Sequence, residues 1–314
     1  AVNLVAFSFG EAFIKEGDEV VVTECEHHSN IVPWQMMCLR KGAVLKVLPV
    51  DDRGELVMEM LPVLLTDKTK IVAVTHISNV LGILNPVKEI VRICHSREIP
   101  VLVDGAQGIV HTDVDVQDTD CDFYVFSGHK IFAATGTGVL YGKRKWLDMM
   151  PPYMGGGEMV GTVRFSGTTY APLPLKFEAG TQNFTGISTL TPALELAARI
   201  RSDVQLRENE IAVRDYMLDT LVSDSRVKLF GRPSDSQNKI PLFSFSVKGV
   251  HHEDLALILD KMGIAARSGQ MCSEPLMDRF GVTGMLRVSF AAYNTLQEAE
   301  YFIKCLDRAI GMLQ

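Results

Sequence analysis

The chain has 314 residues, of which 47% are hydrophobic and 22% are charged. This composition predicts a globular protein with a large core, divided into two domains, and it excludes an intrinsically disordered chain. The formal net charge is -7 and the basic residues are not clustered, so nucleic acid is not an expected partner. No apolar run approaches the ~20 residues that a membrane span requires, so neither a transmembrane helix nor a membrane partner is expected.

The cysteines are scattered along the chain and show no CxxC spacing. This pattern argues against a zinc knuckle or a disulfide framework, and it favours a reducing, cytoplasmic location. His27 and His28 do not predict a metal site, because adjacent side chains point apart and no cluster of acids and cysteines completes a site. The cysteines are Cys25, Cys38, Cys94, Cys121, Cys272 and Cys305.

Helices and strands alternate through the first part of the chain. Apolar residues at helical spacing predict a helix over residues 2–13, and further helices are expected near 31–40, 57–65 and 86–98. Short apolar runs predict strands at 19–22, 44–48, 71–74, 101–103 and 123–126. Because strands that alternate with helices are typical of parallel sheets, the fold class is predicted as α/β with a mostly parallel sheet.

The second part of the chain has a different organisation. Residues 143–191 contain no periodic pattern and are predicted to be rich in loops, which are usually functional or interfacial at such length. A helix is expected over 192–222, followed by strands at 242–247 and 286–290 and helices at 253–262 and 296–313. The predicted domains are therefore 1–201, a large domain, and 202–314, a small α+β domain.

Two functional side chains follow strands of the large domain. Asp104 comes at the end of one buried strand, and Lys130 follows Ser127 and His129 at the end of the next. Ligands of parallel sheets bind at the carboxyl ends of the strands. A lysine and an acid in one crevice suit pyridoxal phosphate (PLP), since the amine forms a Schiff base and the acid pairs with the pyridine nitrogen. The alternatives are a solvated loop lysine and a turn-forming aspartate.

Other polar residues follow the same strands. His27 could be a core or capping histidine, or its ring could stack on the cofactor. Asn79 and Gln107 could be turn residues, or they could bind the phenolic oxygen of the cofactor.

Cys272 and Arg287 are the candidate substrate residues of the small domain. Cys272 lies in a polar, glycine-containing segment, RSGQMCSEP, near Arg267, where a thiol can be exposed and partly ionised. Arg287 is flanked by apolar strand residues, so its guanidinium is expected to have a dedicated anion. That anion is either a substrate carboxylate or an internal structural carboxylate.

Several motifs occur in one order over essentially the whole chain: EHHSNIVPWQ, THISNVLG, VDGAQ, DFYVFSGHK, GTGVLYG, PPYMGGGEM, FEAGT, RSGQMCSEP and RVSFAAYNT. With these motifs the chain resembles the SUF-type cysteine desulfurase and selenocysteine lyase group of the class V aminotransferase family. The resemblance implies fold-type I, with a mostly parallel, seven-stranded type of PLP domain like that of aspartate aminotransferase. It also implies a small carboxyl-terminal α+β domain that carries the catalytic cysteine loop.

The resemblance also implies residue roles. Lys130 would form the Schiff base and later move protons, and Cys272 would attack the sulfur of bound cysteine, which leaves a persulfide on Cys272 and releases alanine. Arg287 and Asn79 would hold the substrate carboxylate. The remaining roles concern PLP: Asp104 would pair with the pyridine nitrogen, His27 would stack on the ring, Gln107 would bind the phenolic oxygen, Ser127 and His129 would bind the phosphate, and Thr181 would reach the phosphate of the neighbouring subunit.

These roles imply a homodimer that acts on L-cysteine, or on L-selenocysteine, and passes sulfur to an acceptor protein for iron–sulfur cluster assembly. Relatives are expected to carry a further amino-terminal segment with a phosphate-binding turn ahead of residue 1. Four positions depart from the family pattern: Ala133 and Ala134 replace Gly-Pro after the lysine, Met271 replaces a histidine, and Gln182 replaces a proline. Two other functions remain open, a different PLP lyase or aminotransferase, and a non-catalytic scaffold protein.

Overall fold

The computed structural model describes residues 1–314, and its centre is a six-stranded sheet. The strand order is β2-β1-β3-β4-β5-β6. The first five strands in this order run parallel to one another, and β6 runs antiparallel to β5. The predicted α/β class with a mostly parallel sheet is confirmed. The strands are β1 (Glu19–Thr23), β2 (Val44–Leu48), β3 (Thr69–Thr75), β4 (Val101–Asp104), β5 (Phe123–Ser127) and β6 (Gly138–Gly142).

Helices cover both faces of this sheet. Val20 and Val22 of β1 pack into the hydrophobic cluster on one face, together with Trp34, whereas Val21 packs on the other face with Ile90. Because successive strand residues point to opposite faces, a strand covered on both sides has a continuous apolar sequence, as seen here. The helices are α1 (Val2–Phe13), α2 (Val32–Lys41), α3 (Leu61–Leu64), α4 (Val87–His95), α5 (Gly108–His111), α6 (Val116–Thr119) and α7 (Arg144–Met149).

One expectation for this part of the chain was wrong, and a second was incomplete. The sheet has six strands, not seven, because the chain leaves it after β6: the hairpin of β7 (Val160–Arg164) and β8 (Gly167–Tyr170) pairs only with itself. The loop-rich segment 143–191 therefore contains regular structure, namely α7, this hairpin and α8 (Phe184–Ser188). Each element has only four to six residues, too few for a hydrophobic period to reveal it.

The remainder of the chain forms a second sheet with its own core. Its strands pair antiparallel in the order β11-β12-β10-β9. Phe243 and Phe245 pack against Met217, Phe302 and Leu306 from the helices. The predicted boundary at residue 202 remains a prediction and falls between the first two helices of the following list. The elements are α9 (Leu190–Ser202), α10 (Val204–Ser223), β9 (Val227–Phe230), β10 (Leu242–Val247), α11 (His252–Lys261), β11 (Arg267–Gly269), α12 (Glu274–Phe280), β12 (Met285–Ser289) and α13 (Leu296–Leu313).

The segment predicted as a loop around Cys272 is shorter than expected. Residues 267–269 form β11 and α12 begins at Glu274, which leaves a tight turn between them. None of the helices is both long enough and apolar enough to cross a membrane.

Candidate active site

The carboxyl ends of four neighbouring strands bring the predicted large-domain residues to one edge of the sheet. The strands β1, β3, β4 and β5 are adjacent and parallel, so the segments that follow them meet there. His27 follows β1, Asn79 follows β3, Asp104 ends β4 and Lys130 follows β5. The small sheet places Arg287 and Cys272 against the same edge through contacts with Asn79 and His28.

Asp104 is a buried acid with no ion-pair partner within 4 Å. Its Oδ1 accepts a hydrogen bond of 3.0 Å from the backbone amide of Ala106. Burial raises the pKa of Asp104, and the Ala106 amide and Lys130 oppose this rise. The carboxyl group is therefore held in place by its own turn, and its second oxygen is free to pair with a ligand.

Lys130 lies in the short helical turn Gly128–Ile131 directly after β5 and is half-buried. Burial lowers the pKa of the Lys130 amine, and the positive charge of Arg287 lowers it further. Negative charge on Asp104 or Cys272 acts in the opposite direction. A lysine in this setting is not a solvated loop lysine, because a desolvated amine is more often neutral and nucleophilic.

The turn after Lys130 is closed without the Gly-Pro pair of the family pattern. Phe132 adopts a left-handed conformation with φ of 73°. The backbone amide of Ala134 donates to Thr189 Oγ1 at 2.9 Å, and Thr137 Oγ1 donates to the carbonyl of Ala134 at 2.7 Å. Two threonine side chains thus hold the segment that follows the lysine.

His27 is held as a neutral imidazole. Its Nδ1 accepts a hydrogen bond from the backbone amide of Ser29 at 3.1 Å, which assigns the proton of the neutral ring to Nε2. Burial lowers the pKa of His27 to about 4, and the charge of Lys130 contributes to the decrease. A neutral, fixed ring at this edge suits stacking on a heterocycle, and that role of His27 remains a prediction.

Glu26 is a fully buried carboxyl group that the sequence patterns did not reveal. Its oxygens accept hydrogen bonds from Thr23 Oγ1 at 2.5 Å, Asn30 Nδ2 at 2.7 Å and the backbone amide of Thr75 at 2.7 Å. Burial raises the pKa of Glu26 to about 8, whereas these donors stabilise the carboxylate. Glu26 thereby ties the segment that carries His27 to the end of β3.

Arg287 lacks the internal carboxylate that was one of its two expected partners. Its Nη1 donates to the backbone carbonyl of Asn79 at 2.8 Å, and no carboxylate oxygen lies within 4.0 Å of the guanidinium. The Nε atom of Arg287 is buried and has no hydrogen-bond partner. Burial lowers the pKa of Arg287, and Arg267 contributes to the decrease. An unpaired donor on a buried cation favours the other expectation, a carboxylate of the substrate.

Cys272 is the exposed cysteine, and the other five are buried. Cys272 and the preceding Met271 both have positive φ angles, 56° and 55°, which non-glycine residues adopt only when their surroundings hold them there. The carbonyl of Cys272 accepts from the backbone amide of His28 at 2.7 Å, and His28 Nε2 accepts from the amide of Glu274 at 3.0 Å. The thiol is thus presented on a pinned turn.

Asn79 joins this turn to the sheet edge. Its Nδ2 donates to the carbonyl of Met271 at 2.8 Å, and Ser273 Oγ donates to its Oδ1 at 3.4 Å. The amide is therefore already occupied in holding the Cys272 turn. Its predicted contact with the substrate carboxylate remains a prediction.

The residues predicted to bind the ring oxygen and the phosphate have unengaged side chains. Gln107, Ser127, His129 and Thr181 make no side-chain hydrogen bond. Gln107 and Ser127 are half-buried, and His129 and Thr181 are exposed. Their polar atoms are available to a ligand, and their predicted roles remain predictions.

A large surface cavity, of about 1010 Å³, lies elsewhere. It is bordered by α4 and by residues 112–120, and its wall carries Lys88, Arg92 and Asp118 but none of the predicted site residues. The chemistry of the converging side chains, and not cavity size, therefore identifies the candidate site.

The side chains at the sheet edge fit PLP. Lys130 supplies a desolvated amine, Asp104 a buried acid without an ion pair, and His27 a neutral ring. Arg287 supplies a buried cation with an unused donor. On an α/β fold this set defines the site of a PLP-dependent enzyme.

The chain belongs to the class-V aminotransferase family, whose model matches residues 1–302 and whose members are PLP-dependent. Within this family its relatives are cysteine desulfurases. A probable cysteine desulfurase of Vibrio cholerae is 44% identical over 314 residues, which is 100% of this chain and 76% of the relative. A cysteine desulfurase of Shigella flexneri is 44% identical over 313 residues, 99% of this chain and 76% of the relative.

Solved structures agree with this assignment. The crystal structure of the cysteine desulfurase CsdA from Escherichia coli matches with a TM-score of 0.92 and 39% identity, over 100% of this chain and 77% of that one. The apo structure of a cysteine desulfurase from Thermococcus onnurineus NA1 matches with a TM-score of 0.90 and 34% identity, over 99% and 77%. The predictions of the family, the fold-type I architecture, the PLP cofactor and the cysteine desulfurase function are confirmed.

Proposed function

We propose that this chain converts L-cysteine to L-alanine and that Cys272 receives the sulfur atom. The observation that carries the proposal is the arrangement around Arg287. A buried guanidinium with an unused Nε lies close enough to Lys130 to lower its pKa, and the exposed Cys272 affects the same amine. Arg287 and the turn that carries Cys272 also meet at Asn79, so a carboxylate held by Arg287 would lie beside that turn.

PLP would be held by residues at the ends of three strands, β1, β4 and β5. Lys130 would bind its aldehyde carbon, Asp104 its pyridine nitrogen, His27 one face of its ring and Gln107 its phenolic oxygen. When bound, PLP supplies an electrophilic carbon for the substrate amine and a ring that accepts electrons. The phosphate would be bound by Ser127 and His129, and by Thr181 from a second subunit.

Three residues of the chain would then carry out separate steps of the reaction. Arg287 orients the substrate by its carboxylate, and the desolvated Lys130 amine takes up and returns protons at the substrate carbons. The Cys272 thiolate attacks the substrate sulfur, so the carbon–sulfur bond breaks as a sulfur–sulfur bond forms. The substrate carbon keeps the electron pair of the broken bond and takes up a proton. L-cysteine and the thiol thereby give L-alanine and a Cys272 persulfide.

The persulfide defines the partners of the reaction. We assign the sulfur to an acceptor protein of iron–sulfur cluster assembly in the cytoplasm, because a persulfide on an exposed turn is open to attack by a second thiol. L-selenocysteine is the alternative substrate, since selenium would take the position of sulfur. The active unit is proposed to be a homodimer, because Thr181 is exposed in its own subunit.

The first test concerns the cofactor and Lys130. The protein mixed with PLP should develop a visible absorption band, and borohydride should fix the cofactor on the peptide that contains Lys130. Lys130→Ala should abolish both signals. If no band appears at saturating PLP, the enzyme proposal is wrong and a scaffold role is favoured.

The second test concerns Cys272. Cys272→Ser should retain the band but lose persulfide and reduce alanine formation from L-cysteine by at least about 100-fold, because serine cannot accept sulfur. Cys305→Ser, which changes a buried cysteine, is the matched control. Unchanged cysteine turnover in Cys272→Ser would favour a different PLP lyase or an aminotransferase.

A further inference from the structure

We propose that Lys239 and Ser244 are positioning residues that set the substrate site from the small sheet, and this inference rests on the function proposed above. Together with Arg287 they bind three consecutive backbone carbonyls of the segment that follows β3. We name residues 79–82 the carbonyl segment. Its role in the proposal is to connect Arg287 with the turn that carries Cys272.

The donors approach the carbonyl segment in sequence order. Arg287 Nη1 donates to the carbonyl of Asn79 at 2.8 Å, and Ser244 Oγ donates to the carbonyl of Val80 at 2.6 Å. Lys239 Nζ donates to the carbonyl of Leu81. The backbone amide of Ile240 then donates to the carbonyl of Gly82 at 2.9 Å. Four successive carbonyls are thus bound from one unit, which fixes the segment along its whole length.

The small sheet is built to present these donors side by side. Ser244 of β10 and Arg287 of β12 are direct partners in the antiparallel register, so their side chains lie on the same face of the sheet. Lys239 lies just ahead of β10. The three donors therefore belong to one unit, and a displacement of that unit would move all three together.

The carbonyl segment is also packed tightly against the backbone of the small-sheet unit. A Cβ atom at Gly231 would overlap the carbonyl of Leu81, and one at Gly82 would lie 2.9 Å from the carbonyl of Leu242. Both glycines have positive φ, 75° and 62°. The segment therefore has little room to move once its carbonyls are bound.

The segment transmits its position to both substrate groups. Its first residue, Asn79, receives Arg287 on its carbonyl and holds the Cys272 turn through its side chain, which donates to Met271. Displacement of the segment would shift the guanidinium and the thiol together. Lys239 and Ser244 bind only its later carbonyls, so they act on the substrate through Arg287 and Asn79.

Lys239 is not explained by stabilisation of the fold. It is 3% exposed, it has no carboxylate within 4.0 Å, and its ammonium lies 5.3 Å from the centre of the Phe243 ring. Burial without a counter-charge is unfavourable to the folded state. Replacement by methionine, which has a similar length, should therefore leave stability unchanged or raised while it releases the carbonyl of Leu81.

The test compares Lys239→Met and Ser244→Ala with Lys248→Met, which alters an exposed lysine just beyond β10. In the PLP-loaded protein, both test variants should keep the absorption band and the PLP affinity. Their KM for L-cysteine should rise on the order of tenfold, the effect of a displaced charge-assisted hydrogen bond. Binding of cysteamine, which lacks the carboxylate, should be unchanged in all three variants.

A second measurement separates this proposal from the desulfurase proposal. Hydrogen exchange of the cofactor-free protein should be faster at residues 79–84 and 271–273 in both test variants, but not in Lys248→Met. If exchange is faster in the variants but the wild type has no desulfurase activity, the coupling of Lys239 and Ser244 to the Cys272 turn is supported and the proposed desulfurase reaction is rejected. If exchange in both segments, or the ratio of L-cysteine to cysteamine affinity, is unchanged in Lys239→Met and Ser244→Ala, the positioning role is wrong.

Discussion

His76 shows how burial fixes the protonation of a single side chain next to the site. It is 8% exposed, its Nδ1 lies 3.0 Å from the hydroxyl of Tyr124, and its backbone amide donates to the carbonyl of Asp104. Burial lowers the pKa of His76 to about 4. The ring is therefore neutral at physiological pH, like that of His27, and both can serve only as uncharged groups.

This shift predicts the acid sensitivity of the fold. A histidine in the unfolded chain binds its proton near pH 6.5, whereas His76 in the folded protein binds it near pH 4. Its contribution to stability is thus complete above pH 6.5 and is lost as the pH falls towards 4. His76→Gln should reduce the loss of unfolding free energy between pH 7 and 4.5 by about 2 to 3 kcal/mol.

Chemical denaturation at the two pH values measures this difference. His251→Gln, which changes an exposed histidine, is the control and should lose stability with acid as the wild type does. An equal acid loss in His76→Gln and the wild type would contradict the assignment of His76 as a buried neutral ring.

At this scale the sequence predicted some residues and not others. Asp104 and Lys130 could be predicted because each ends a continuous apolar run, so their place in a parallel sheet follows from their strand. Glu26 and Lys239 could not, because charged residues are expected in solvent unless partners bury them. Glu26 bonds Thr75 in addition to its neighbours, and Lys239 bonds Leu81; both of these partners are distant in sequence, and only the fold brings them together.

Among the elements, the turn between β4 and α5 depends most on the absence of side chains. A Cβ atom at Gly105 would overlap the ring of Tyr124, and one at Gly108 would overlap His76. Tyr124 is buried in the core beneath the sheet and cannot move away without disturbing it. The DGAQG sequence therefore lets the backbone lie directly on an aromatic ring. This contact fixes the position of the turn that follows Asp104.

Gly105→Ala should consequently displace the turn and weaken the fold. The added methyl group should lower the unfolding free energy by about 1 to 3 kcal/mol, as overpacking does, and the displaced Asp104 should weaken PLP binding. Thermal unfolding and titration with PLP measure the two effects. Gly311→Ala on α13, where no atom lies within 4 Å of the new Cβ, should lower neither stability nor PLP affinity, and equal behaviour of the two variants would contradict the role of the overlap at Gly105.

The elements also show where sequence patterns lose their information. Helix α13 and strand β10 were predicted with the bounds that the structure has, because each has a long apolar face that packs on the core of the small sheet. The hairpin of β7 and β8 was missed because its side chains are largely exposed and provide no alternation. Strand β11 was missed because it has three residues and is defined by pairing with β12.

At the scale of the whole molecule, one surface has the composition of an interface. Large apolar side chains are exposed throughout the segment between β6 and α9, which also contains Thr181. Its exposed members are Met149, Tyr153, Met154, Val163, Phe165, Tyr170, Leu175, Phe184 and Ile187. Such a density of exposed apolar side chains along one segment is typical of an interaction surface. It supports the proposed homodimer, in which Thr181 would reach the phosphate bound by the other subunit.

Phe184→Asp should therefore separate the subunits. Phe184 is 70% exposed and follows Thr181 by three positions, so a charge there would be buried without a partner in a dimer. Sedimentation should show a dissociation constant raised at least about tenfold, and PLP affinity should fall with it because the phosphate would lose its contact with Thr181.

Leu257→Asp is the matched control, since Leu257 is 63% exposed on α11 and distant in sequence from Thr181. This variant should have the same mass in sedimentation and the same PLP affinity as the wild type. Addition of PLP to the wild type should tighten the dimer, because a ligand shared by two subunits stabilises the state that binds it. A wild type that remains monomeric with PLP bound would reject the homodimer, and it would leave the phosphate to residues of a single subunit.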